Sequence, residues 1–157
     1  MKHTISALVE NKFGVLARIS GLFSARGYNI SSLSVSETED PTISRMTILV
    51  EAADEKILEQ IKKQLNRLID VISVVDLTKK EFIEKELVFV KVNSSKENKS
   101  KIAKVVNKFA GKILEAKEDY LIIEAVVDQR HLKDFLEELK EFGIKELVRS
   151  GRIAITK

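Results

Sequence analysis

Val9-Glu10-Asn11-Lys12-Phe13-Gly14-Val15-Leu16 is the stretch where one hydrophobic period gives way to another. Ahead of it, Ile5, Ala7 and Val9 alternate with Thr4, Ser6 and Leu8, the period of two that belongs to a strand over about His3 to Glu10. Beyond it, Val15, Leu16, Ile19, Leu22 and Phe23 recur three and four apart, which predicts a helix over about Gly14 to Arg26 with one apolar stripe. Asn11 and Gly14 are residue types that suit the tight connection between them. The first N–H groups of the helix lack intrahelical partners, and its dipole makes that end slightly positive, so the connection suits a carboxylate or another small anion.

Gly27 stands where a glycine would end the helix. The next strand runs from about Tyr28 to Glu37, and Ile30 is out of phase with Leu33 and Val35, which predicts a bulge or irregular entry at Asn29-Ile30. Asp40-Pro41 marks a turn. A third strand covers Ile43 to Val50. Asp54 is placed to cap a second helix carrying Ile57, Ile61, Leu65 and Leu68, and a strand from Val71 to Leu77 closes the unit. The order is β-α-β-β-α-β, a ferredoxin-like arrangement. Thr78 to Glu84 reads as a charged linker, and the order then repeats. A strand covers Leu87 to Val92, a helix carries Ile102, Val105, Val106 and Phe109, and two strands follow over Ile113 to Ala116 and Leu121 to Val127. A helix capped by Asp128 and a last strand region over Ile144 to Ile155, interrupted at Ser150-Gly151, complete the second unit.

The expected fold class is therefore α+β. Two ferredoxin-like βαββαβ domains stand in tandem, over residues 1–78 and 79–157. Each has an antiparallel sheet with helices on one face, leaving the other face and the edges open for pairing. The second unit replaces the Asn-x-x-Gly connection with Asn93-Ser94-Ser95-Lys96, so any ligand of the first connection is not expected there.

The 157 residues carry 27 Lys and Arg against 24 Asp and Glu, a formal net charge of +3 spread along the chain rather than gathered into a nucleic-acid footprint. The sheet lacks the aromatic pattern with which such sheets stack RNA bases. With no cysteine, thiol nucleophiles and cysteine metal sites are excluded, and His3 and His131 fit no ligand spacing. No GxSxG, Walker or GxGxxG motif occurs. Ser31, Ser32, Ser34 and Ser36 have no histidine near them in sequence and read as a polar strand. No apolar run approaches the ~20 residues that span a bilayer. With no basic-then-apolar leader at the start, a cytoplasmic, non-catalytic binding protein is expected, with no membrane or nucleic-acid partner.

Three segments together resemble one family: Asn11 to Leu16; Gly21-Leu22-Phe23-Ser24-Ala25-Arg26-Gly27-Tyr28-Asn29-Ile30-Ser31-Ser32-Leu33; and Asp40-Pro41-Thr42-Ile43-Ser44-Arg45-Met46-Thr47-Ile48. They are similar to the small regulatory subunit of acetohydroxyacid synthase (acetolactate synthase), whose first half is an ACT domain. The likeness extends through Glu59 to Leu65 and returns at Val148-Arg149-Ser150-Gly151. The resemblance implies a regulator of branched-chain amino-acid synthesis that binds the catalytic subunit, activates it and confers valine inhibition. Thiamine diphosphate, magnesium and FAD would belong to that catalytic subunit, with no cofactor or metal in this chain. It also implies a homodimer with effector bound at the seam between ACT domains. The effector carboxylate is expected on the backbone N–H groups of Gly14, Val15 and Leu16 and its polar groups on Asn11. Asn29 and Ile30 of the neighbouring protomer are expected to close the site, and Phe13 to narrow its mouth. The second domain is expected to help assembly and to contact the catalytic subunit through its exposed sheet face. The alternative is a stand-alone ACT amino-acid sensor with no enzyme partner.

Overall fold

The computed structural model describes residues 2–157. The first helix-covered sheet is built from β1 (Lys2–Glu10), β2 (Ile30–Glu37), β3 (Ile43–Glu51) and β4 (Val71–Asp76), in the order β2-β3-β1-β4 and antiparallel throughout. Helices α1 (Val15–Ser24) and α2 (Glu55–Leu65) pack on one face. Their stripes, Ile19, Leu22 and Phe23 from α1 and Leu58, Ile61 and Leu65 from α2, meet Ile5, Met46 and Ile48 in a closed core. Each such side chain removed from water contributes about 1.5–3 kcal/mol. Asp54 caps α2 as its position predicts, accepting the Ile57 N–H at 2.9 Å. The irregular entry to β2 is present as a register shift between Ile30 and Ser32.

The second unit repeats the plan with β5 (Phe82–Asn93), α3 (Lys99–Lys108), β6 (Lys112–Ala116), β7 (Tyr120–Val127), α4 (Gln129–Lys140) and β8 (Ile144–Arg149), in the order β6-β7-β5-β8. Alternate residues Val88, Val90, Ile123 and Ala125 face α3 and α4. Glu86 is buried, and Arg149 answers it with two hydrogen bonds, Nε to Oε1 at 2.7 Å and Nη2 to Oε2 at 2.8 Å.

Grouped by contact, the described residues form two compact units, 2–83 with 152–157, and 84–151, beside the expected division at 78/79. As the sequence predicts, the final strand region divides at Ser150-Gly151, where Gly151 takes φ 80°, a left-handed value natural to glycine. β9 (Ile153–Thr156) pairs with β5, and residues 152–157 cluster by contact with the first unit, where the Lys157 N–H donates to Glu81 O at 3.1 Å. As a result, the helix-free face of the first sheet is not wholly open. Thr4, Leu49 and Ser32 lie in register across β1, β3 and β2. Arg152 is buried over this row, its Nη1 donating to Thr4 Oγ1 at 2.9 Å and its backbone N–H to Ser32 Oγ at 3.1 Å.

Candidate functional site

Asn11, Gly14, Val15 and Leu16 come together at the start of α1. Gly14 adopts φ 81°, ψ −6°, a conformation that costs any residue with a Cβ, and is the last residue before the helix. The Val15 N–H turns back to Lys12 O at 3.3 Å, and the Arg18 N–H begins the helical ladder on Gly14 O at 3.0 Å. Between them, the N–H groups of Leu16 and Ala17 fall in the first turn, where helix geometry supplies no carbonyl. Val15 is a core residue whose side chain is buried, and its N–H is the one given to Lys12 O, so the expected carboxylate contact from Val15 is not free in this chain. Leu16 is half exposed beside it, and Phe13 projects fully into solvent. With no contact to hold its ring over the helix start, Phe13 does not narrow a mouth within this chain.

The Asp-Pro-Thr segment holds this loop. The Asp40 carboxylate accepts the Thr42 N–H at 2.9 Å and its hydroxyl at 2.7 Å, and these two bonds, the hydroxyl's first, hold the Asp40 carboxyl below its ordinary range. The turn so formed offers two carbonyls to Asn11: Thr42 O accepts its backbone N–H at 2.7 Å and Pro41 O accepts its Nδ2 at 2.8 Å. One side of the Asn11 amide is therefore committed to holding the loop, and its Oδ1 is the atom left to face a ligand.

Arg18 was not singled out by the sequence reading. Its Nε donates to Asp70 Oδ2 at 2.7 Å, and Asp70 is buried. That bond is the main cause that raises the guanidinium pKa, with the Asp70 and Glu10 charges adding to it. A Cβ on residue 14 would lie 3.1 Å from Arg18 Nη1, so the missing side chain of Gly14 makes room for the guanidinium. The signal was present in the sequence: a cation in the first turn opposes the helix dipole and needs a particular partner.

Asn29 and Ile30 lie elsewhere. Ile30 shares a sheet row with Val50 and His3, whereas the loop leaves from the row of Val9, Ser44 and Glu37. Six residues of strand separate the rows, about 20 Å at ~3.3 Å per residue. The ten residues of α1 span about 15 Å between the same ends. One chain cannot bring all six residues around one small ligand. β2, however, is an edge strand with one side unpaired in this chain.

No Ser–His pair forms at His3. Its ring lies buried with no hydrogen-bond partner at either nitrogen, while His131 Nδ1 lies 2.8 and 2.7 Å from the two carboxylate oxygens of Asp128. Among the described residues, no group of three or more His, Asp or Glu side chains is arranged to hold a metal ion, and no helix is long and apolar enough to cross a membrane.

Residues 5–73 match the model of the ACT domain found in the small subunit of acetohydroxyacid synthase (AHAS), and residues 85–157 match the small subunit of acetolactate synthase. The chain belongs to the acetolactate synthase small subunit family. It is 45% identical over its full length to the probable acetolactate synthase small subunit of Archaeoglobus fulgidus, covering 98% of that protein. It is 47% identical over 156 residues to the corresponding protein of Methanothermobacter thermautotrophicus, covering 99% of this chain and 92% of that one. The crystal structure of the acetolactate synthase small subunit from Thermotoga maritima superposes with a TM-score of 0.89 at 34% identity, over 100% of this chain and 98% of that one. The tandem ferredoxin-like fold expected from the sequence is thus that of the acetolactate synthase small subunit family, and its two halves correspond to the two family segments.

Proposed function

We propose that this chain is the non-catalytic regulatory subunit of an acetolactate synthase, activating the catalytic subunit and conferring feedback inhibition by valine. Its relatives are named as small subunits, which supports a large catalytic partner over the alternative of a stand-alone sensor. Thiamine diphosphate, magnesium and FAD reside in that partner on this reading.

The observation that carries the effector site is the separation of its two halves in one chain. If the free edges of two β2 strands pair antiparallel about a twofold axis, the Ile30 end of each lies beside the Glu37 end of the other. Asn29 and Ile30 of one protomer then approach the Asn11–Leu16 loop of its partner. The effector carboxylate sits on the first-turn N–H groups of α1 near Gly14, with Arg18 adding positive potential. Asn11 Oδ1 accepts from the ammonium, and Leu16 and Ile30 meet the aliphatic side chain. A ligand bridging two protomers stabilises one arrangement of the dimer over others, and only such a differential affinity can regulate a partner.

Thermal melts of the chain against individual amino acids test this reading. Valine at 100 times its Kd is expected to add roughly 2.7 kcal/mol of apparent stability, and alanine or aspartate at the same concentration little. Absence of a valine shift both alone and with the catalytic subunit present would remove valine as the effector.

A further inference from the structure

The helix-free face of the first sheet is rich in hydroxyls. Register places Ser6 of β1, Thr47 of β3 and Ser34 of β2 in one row across it, and Leu8, Arg45 and Ser36 in the next. Arg152, tied to Thr4 and Ser32, brings the start of β9 to the same face. A cavity of about 280 Å³ lies there, lined by Ser34, Ser36, Arg45 and Thr47 of the sheet and by Ile153 and Ala154 of β9. Small-ligand pockets begin at about 300 Å³, so this one suits a compact polar head with at most a short substituent.

The donors of this cavity are unused. Thr47 is only 4% exposed, yet its hydroxyl has no hydrogen-bond partner among the described residues. The hydroxyls of Ser34 and Ser36 have none either. Buried hydroxyls are ordinarily bonded, and one that is not calls for a partner from outside the chain. Arg45 gives Nη1 to Ser6 Oγ at 3.0 Å, a neutral acceptor, and pairs with no carboxylate among the described residues. Its Nε and Nη2 stay available. A guanidinium fork beside hydroxyl donors recognises a phosphate-like oxyanion. Glu37 and Glu39 also line the cavity, both exposed and without an ion-pair partner among the described residues. Two carboxylates beside one guanidinium repel a polyanion, which matches the site to a single oxyanion group.

We infer that this cavity is a binding site for one small oxyanion of the phosphate class, free or as a monoester. The Arg45 guanidinium and the hydroxyls of Thr47, Ser34 and Ser36 donate to its oxygens, and Ile153 and Ala154 wall the substituent of an ester. The cavity is separate from the start of α1 and does not rest on the proposed effector site.

Calorimetric titration of the full-length chain with inorganic phosphate and with glycerol phosphate, at constant ionic strength in chloride, tests it. One site per chain is expected. Tighter binding of the ester means that the wall at Ile153 is used, and equal or weaker binding assigns the site to the free ion. Thr47→Val keeps the shape of the buried side chain and removes its hydroxyl, which should weaken binding about tenfold. Arg45→Ala, an exposed change, should abolish it. Glu37→Gln with Glu39→Gln removes the repulsion and should tighten binding about two- to fivefold. Thermal melts confirm that each variant is folded, and Ser34→Ala replaces Thr47→Val should the latter not fold. The proposal is overturned if neither probe binds, if Arg45→Ala and Thr47→Val bind as the parent does, or if the paired Gln variant binds more weakly. Binding lost in Gly14→Asp but kept in Arg45→Ala would put the anion at the start of α1 and overturn it as well.

Discussion

Gly14 is the residue where backbone shape and the proposed ligand chemistry meet. Its positive φ costs an L side chain about 1–2 kcal/mol, and any Cβ would crowd Arg18 Nη1. Gly14→Asp sets a carboxylate where the effector's own carboxylate is proposed to sit. The expected result is a folded protein with a modestly lower melting temperature and no valine-dependent shift; an unchanged shift would place the anion elsewhere. His3 presents the opposite case, a side chain without a partner. It is buried on the helix-covered face of β1 and neither ring nitrogen is hydrogen-bonded. A buried polar group without a bond costs about 1–3 kcal/mol, so His3→Leu should stabilise the first unit by an amount in that range. A higher urea midpoint at an unchanged slope is the reading that supports this.

At the scale of the element, the N-terminus of α4 shows how one cap ties stability to pH. Asp128 accepts the His131 N–H at 3.0 Å. That backbone bond first, then the His131 side chain, holds its carboxyl below the ordinary range. A carboxyl lowered in the folded state adds stability that is present above its unfolded value of about 3.9 and is lost as pH falls through the folded value. Asp128→Ala should therefore cost about 1 kcal/mol at pH 7, and the gap to the parent should narrow steadily below about pH 4. Urea midpoints measured across that range check both the size and the sign. A constant gap would mean that the cap does not depend on the ionised carboxylate. The cap itself was legible as Asp128 ahead of an apolar stripe, as was Asp54 ahead of α2, because an N-cap is a local device. The turn that holds Asn11 was not legible. Asp40-Pro41-Thr42 was readable as a turn, but the carbonyls it lends to a loop some thirty residues away depend on β1 and β3 pairing in a particular register.

For the molecule as a whole, the proposed division of the effector site between protomers has a consequence that mixing can measure. In a heterodimer of a Gly14→Asp chain and an Asn29→Ala chain, one seam carries both defects. The other seam takes its loop from the Asn29→Ala chain and its Asn29 from the Gly14→Asp chain, so it is intact. Two variants that each fail to bind valine as homodimers should regain one site of two when differently tagged chains are co-purified as the heterodimer. Calorimetric stoichiometry reads this directly. No recovery would argue that the six residues do not share sites across a seam.

Period, capping residues and turn residues were enough to read two βαββαβ units, because helices and strands bury faces whose spacing is written locally. The same local signals placed the start of α1 at Gly14. Three features depend on residues far apart in sequence. Asp70 meets Arg18 because β4 lies beside β1, and Asn29 lies an α1 length away from Gly14 because β2 returns along the sheet. The last six residues rejoin the first unit because Gly151 turns the chain and Arg152 finds Thr4 and Ser32. Local pattern carries the energy of elements, whereas register and chain return are settled by long-range burial and hydrogen bonding, and only the folded chain brings those partners together.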